Sequence, residues 1–196
     1  MRYFRLQPDP RPQGRWVLGN VLWTDNWRFI SPEGQDLEPA HYTIELKRKG
    51  KPADFNFAGY AAVPVVSGKF RAALNGLPET ATPYHDTVFL GAHISGETLL
   101  DDFFIFVTEG LVDCVDESRS KFEKFTENDP VRPDLAGHYK SIFELVVAPE
   151  KLAKRNIARI QGARDVLIVS EHAKKSLDKA GLAGLMYTDV SPNPIV

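Results

Sequence analysis

The chain carries one short pattern twice. Val63-Pro64-Val65-Val66-Ser67-Gly68-Lys69-Phe70-Arg71-Ala72-Ala73-Leu74 is answered 103 residues later by Val166-Leu167-Ile168-Val169-Ser170-Glu171-His172-Ala173-Lys174-Lys175-Ser176-Leu177. Each copy is an apolar, β-branched run, then a serine, then an amphipathic stretch. The run predicts a buried strand. The serine predicts an N-cap, because its hydroxyl can accept a hydrogen bond from the first helical turn. Phe70, Ala73, Leu74 and Leu77 then share one helical face, as do Ala173, Leu177 and Ala180. Burying Phe70 and the two leucines contributes roughly 1.5–3 kcal/mol each before conformational entropy is subtracted. The phrase holds no nucleophile, phosphate cradle or metal spacing, so it constrains architecture and not chemistry.

The two copies lead into different segments. A long β-rich, acidic middle comes after the first, and a short closing strand, Leu185-Met186-Tyr187, after the second. The two serine-capped helices are therefore expected as paired supports for one sheet, not as marks of two duplicated domains. The expected fold class is α+β: a mainly antiparallel sheet with two serine-capped amphipathic helices packed on it. Strands are expected at Tyr42–Leu46, Thr87–Ile94, Asp102–Val107, Leu111–Val115 and Ile142–Val147. A hairpin is expected across Gln161-Gly162. The middle strands should form an antiparallel meander, since their connectors are short.

Residues 1–60 read as an aromatic and proline-rich segment that packs on a body of residues 61–196, the whole being one continuous globular unit. All three tryptophans, Trp16, Trp23 and Trp27, lie in this segment. Rings of this size favour burial. Trp16-Val17-Leu18 and Val21-Leu22-Trp23 read as short strands joined at Gly19-Asn20. Ser118 to Leu135, with Pro130 and Pro133, reads as a loop with one helical turn.

With 196 residues, 43% hydrophobic and 26% charged, the chain can bury a core without staples. A lone cysteine, Cys114, forms no internal disulfide. The first residues lack a signal-peptide core and the apolar runs are too short to span a bilayer, so a cytoplasmic location and no membrane partner are expected. The net charge of −2 hides an asymmetry: from Glu97 to Ser118 there are seven acids and no Lys or Arg. A nucleic-acid binder usually shows a net basic domain, so no nucleic-acid partner is expected.

Asp113 and Asp116 could act as general acid and base with a nearby histidine, or as ligands to a hard cation. In a strand, however, residues three apart point to opposite faces. The histidines, His41, His85, His93, His138 and His172, include no pair at helical ligand spacing, so neither metal nor cofactor is expected. Ser118-Arg119-Ser120-Lys121 has Ser-x-x-Lys spacing without the companion elements of that enzyme class. Cys114 lies in an apolar, acidic stretch that raises a thiol pKa and favours an inert core cysteine.

The order of motifs carries a resemblance. Pro64-Val65-Val66-Ser67, Asp102-Phe103-Phe104-Ile105-Phe106-Val107 and Val112-Asp113-Cys114-Val115-Asp116-Glu117-Ser118 come first. Ile157-Ala158-Arg159-Ile160, Val166-Leu167-Ile168-Val169-Ser170-Glu171 and Leu182-Ala183-Gly184-Leu185-Met186-Tyr187 come after them. Over roughly residues 60–190 this resembles immunity protein family eleven of bacterial polymorphic toxin systems. Ala158 stands where that pattern has a phenylalanine, and the first 60 residues match no pattern. The resemblance implies a non-enzymatic antidote that binds a cognate toxin, occludes its active site, and has no catalytic residues to carry over. Within such a family, Asp101, Asp102, Glu109, Asp113, Asp116 and Glu117 are the expected partner-binding surface, facing a basic cleft. Two alternatives stand: a small-molecule enzyme using Asp113 and Asp116, and a structural module that self-associates through an exposed strand edge.

Overall fold

The doubled phrase folds twice in the same way. In the computed structural model, which describes residues 1–11, 13–30, 37, 40–80, 87–98 and 101–192, the first copy is β5 (Val63–Ser67) running into α1 (Gly68–Ala73). The second is β12 (Ala163–Ser170) running into α2 (Glu171–Lys179). Ser67 Oγ accepts from the Phe70 N–H at 3.2 Å and Ser170 Oγ from the Ala173 N–H at 3.1 Å, so both serines cap as their position predicts.

The match extends upstream. Each strand pairs antiparallel with the one before it, β4 (Phe55–Ala58) with β5 and β11 (Ile157–Ile160) with β12. Each leading strand is preceded by an Asp or Asn that receives the serine hydroxyl. Ser67 Oγ donates to Asp54 Oδ1 at 2.6 Å, and Ser170 Oγ to Asn156 Oδ1 at 2.8 Å. The other polar atoms of these two residues reach across. Asp54 Oδ2 accepts from the Ala183 N–H, in the loop after α2, at 2.7 Å. The Asn156 N–H donates to Glu79 Oε1, beyond α1, at 2.5 Å, and Asn156 Nδ2 to Oε2 at 3.2 Å. Each hairpin thus clasps the segment beyond the other's helix.

The two copies do not support one sheet: β5 and β12 belong to different sheets. The remaining strands are β1 (Tyr3–Pro8), β2 (Val17–Val21), β3 (Tyr42–Arg48), β6 (Thr87–Ile94), β7 (Phe103–Thr108), β8 (Leu111–Val112), β9 (Lys121–Lys124), β10 (Tyr139–Glu144) and β13 (Leu185–Asp189). One sheet runs β13-β1-β12-β11-β8, another β2-β3-β6-β7-β5-β4, and β9-β10 stand as a ribbon. The six-stranded sheet curls until its edges meet. Gly59 N–H donates to the Leu18 carbonyl at 3.4 Å and Trp16 Nε1 to Asn56 Oδ1 at 2.8 Å, so it nearly closes into a barrel.

The α+β expectation is therefore corrected to a mainly β fold: thirteen strands in three sheets among the described residues, with helices of only six and nine residues. The reason lies in the continuous apolar runs. Along β7, Phe103, Ile105 and Val107 face the barrel core while Phe106 faces a second core. Along β12, Leu167 and Val169 face that same second core while Val166 and Ile168 face a third. Strands buried on both faces need cover on both sides, and short helices supply too little. The two large sheets cover one another instead, with Phe70, Leu74, Ala173 and Leu177 of the helical segments filling the space between them.

Other expectations change in detail. The meander ends at β7; β8 leaves it and pairs parallel with β11. No hairpin forms at Gly19-Asn20, because β2 runs through both residues. The loop expected at 118–135 contains β9. Residues 1–60 supply β1, between β12 and β13, together with β2, β3 and β4. Trp16 is buried but Trp23 and Trp27 are not.

Candidate functional site

β7 separates the acidic residues into two groups. Asp101 and Asp102 precede it, beside α1: the Gly68 N–H donates to the Asp102 carbonyl at 2.8 Å and Lys69 Nζ stands 3.9 Å from Asp101. Glu109 lies just past its other end, roughly 20 Å away at about 3.3 Å per residue. From Glu109 the chain passes through β8 to Asp113. Asp113, Asp116 and Glu117 then line one shallow groove of about 400 Å³ with Val115, Ala148, Glu150 and Lys151. Asp113 and Asp116 thus share a groove and do not diverge, because the strand stops at Val112 and the chain turns before Asp116.

Hydrogen bonds at the groove favour the ionised forms of Asp116 and Glu117. Ser118 Oγ donates to Asp116 Oδ1 at 2.6 Å and, aided by Arg119, holds that carboxyl below the usual carboxylate range. Glu117 Oε1 accepts from Lys124 Nζ at 2.5 Å and from the Tyr139 hydroxyl at 2.8 Å, and is lowered likewise. Burial and that carboxylate together raise the Tyr139 phenol. Asp113 faces Lys151 at 3.3 Å across an exposed pair, which contributes little stability. A general acid or base works best with a pKa near the operating pH. Asp116 and Glu117 are shifted the other way, and no histidine is among the groove-lining residues.

Cys114 points into the core beneath the groove, and burial, then the Asp113 charge, pushes its thiol up to about 11. Among the described residues no three His, Cys, Asp or Glu side chains cluster where a metal ion could be held, and no helix is long and apolar enough to cross a membrane. His85-Asp86 lies outside the described residues. Glu150 and Lys151 were not singled out by the sequence as site residues, although a short helix or turn is expected from Pro149; that turn carries them to the groove.

The chain belongs to the immunity protein family Imm11, whose model matches residues 5–192. The match takes in nearly all of residues 1–60, as the strands from that segment in both large sheets require. No curated protein matches the chain. Membership gives the protein a toxin-immunity role and implies a protein partner, the cognate toxin.

Proposed function

We propose that the chain is a non-enzymatic antidote, acting in the cytoplasm as part of a polymorphic toxin system, that covers the active site of its cognate toxin with a preformed acidic face. The observation that carries this reading is the run from Glu109 to Glu117, whose carboxylates Asp113, Asp116 and Glu117 share one groove. Such a face complements a basic cleft and speeds association in a salt-sensitive way. Asp101 and Asp102, at the other end of β7, add to the attracting field. The test is co-purification with the inactivated product of the adjacent toxin gene. The double reversal Asp113→Lys, Asp116→Lys should weaken binding by about tenfold or more, and Asp101→Lys, Asp102→Lys should slow association. Unchanged affinity and association rate in both pairs of variants would remove the acidic face from the account.

A second copy could add to this role. Among the described residues β13 pairs only with β1 and ends the five-stranded sheet, which presents a strand edge for self-association. Light scattering that shows monomer at every concentration would dispose of that interface.

A further inference from the structure

Three exposed aromatic rings stand on the segment after β2 and on the turn from β4 into β5. Trp23 is 89% exposed, Tyr60 62% and Trp27 47%. The Trp27 and Tyr60 rings lie 5.8 Å apart, tilted by 57°. They come from two loops, and both loops are locked from beneath. Buried Asn26 accepts from the Val21 N–H at 2.8 Å and donates to the carbonyls of Val21 at 2.8 Å and Thr24 at 3.1 Å. Asp25 accepts from the Trp27 N–H at 3.0 Å, and Phe29 and Ile30 anchor the next turn in the barrel core. Asn20 Oδ1 accepts from the Tyr60 N–H at 3.2 Å and fills the place a side chain at Gly59 would take.

Trp23 has φ +60°, the left-handed region that a bulky L residue rarely adopts. This strain gains no burial for the ring, and strain kept without a packing return points to function. The surrounding charge is acidic. Asp25 sits in the loop, and Glu109 ends β7 at the same end of the barrel, where the Asn26–Phe29 turn packs on β5 and β7. Neither carboxylate has an ion-pair partner among the described residues, while Arg28 Nη1 turns back toward the Thr24 hydroxyl at 3.5 Å. Four residues of mostly extended chain, about 13 Å, lead from Glu109 to Asp113, so this end adjoins the acidic groove.

We infer that Trp23, Trp27 and Tyr60 anchor a basic segment of the cognate toxin, a Lys or Arg lying over the rings with Asp25 and Glu109 beside it. This inference rests on the proposed function. Aromatic faces attract cations, Trp most strongly. Trp and Tyr dominate interface energetics, and loops fixed in advance lose little freedom on binding.

The decisive variant is Trp23→Gly, tested with Trp27→Ala, Tyr60→Ala against the inactivated product of the adjacent toxin gene by titration calorimetry. Glycine adopts φ +60° without strain, so Tm should stay or rise while affinity falls about tenfold or more. The paired variant should lose at least as much, and if it fails to fold, Trp23→Gly alone decides. Affinity within about twofold of the parent overturns the anchor. If Asp113→Lys, Asp116→Lys weakens binding in the same assay, the proposed function survives that loss. A parent chain that binds no toxin removes both.

Discussion

Phe70→Ala should cost about 3–5 kcal/mol of folding stability, the largest loss expected from one core side chain here. Phe70 is fully buried at the meeting point of both large sheets. Its ring stacks on Phe55 of β4 at 5.6 Å and meets Phe106 of β7 edge-on at 5.5 Å, so two strands lose a shared partner at once. The neighbours are strands fixed by ladder hydrogen bonds and cannot collapse into the space. A domain typically has only about 5–15 kcal/mol to lose, so the urea midpoint should fall sharply while the slope is unchanged. By comparison, Ser67→Ala should cost about 1 kcal/mol for the cap. A Phe70→Ala loss below about 1 kcal/mol would mean that the two sheets do not share this core.

Arg159→Met should act in the opposite direction. Arg159 is fully buried, its Nη1 donates to the Arg164 carbonyl at 2.5 Å, and its Nε and Nη2 have no hydrogen-bond partner among the described residues. Burial lowers its pKa to about 10, with Asp165 the one charge that opposes the shift. The guanidinium is therefore still protonated at neutral pH, and it is a buried charge only partly satisfied. Replacing such a group with an apolar side chain of similar length is neutral or stabilising, by about 1–4 kcal/mol. The pH dependence has a definite sign. Because the folded pKa is depressed, the unfolded chain binds the proton more tightly, so the cost is fully present below about pH 10 and is relieved as pH rises beyond it. The advantage of Arg159→Met over the parent should shrink in that range. A loss above about 1 kcal/mol in Arg159→Met would show that the charge holds the β11–β12 hairpin together.

Legibility tracked the range of the forces involved. The serine caps of Ser67 and Ser170 were readable because a cap is decided within three residues. The Gln161-Gly162 hairpin was readable because its turn is local, with Gly162 at φ +79°. The runs at 103–108 and 163–170 announced burial but not what would bury them. A strand covered by helices and one covered by another sheet have the same apolar content, which is how the α+β expectation went astray. The clasp from Asp54 to Ala183 spans 129 residues, and that from Glu79 to Asn156 spans 77, so neither leaves a local pattern. Within the candidate site, Asp113, Asp116 and Glu117 could be picked out as a cluster. The separation of Asp101 and Asp102 from them needed the direction of β7. Trp23 was expected inside because of its size; it stands outside, on a left-handed backbone that no local pattern marks.

The proposed function requires that this chain recognise one basic protein partner through a rigid acidic and aromatic face. The most direct measurement is titration calorimetry of the intact chain with the inactivated product of the adjacent toxin gene at about 50 and about 500 mM salt, where the screening length falls severalfold. A one-to-one complex is expected, its affinity dropping by about tenfold or more at the higher salt. Absence of binding at either salt, or binding indifferent to salt, would contradict it.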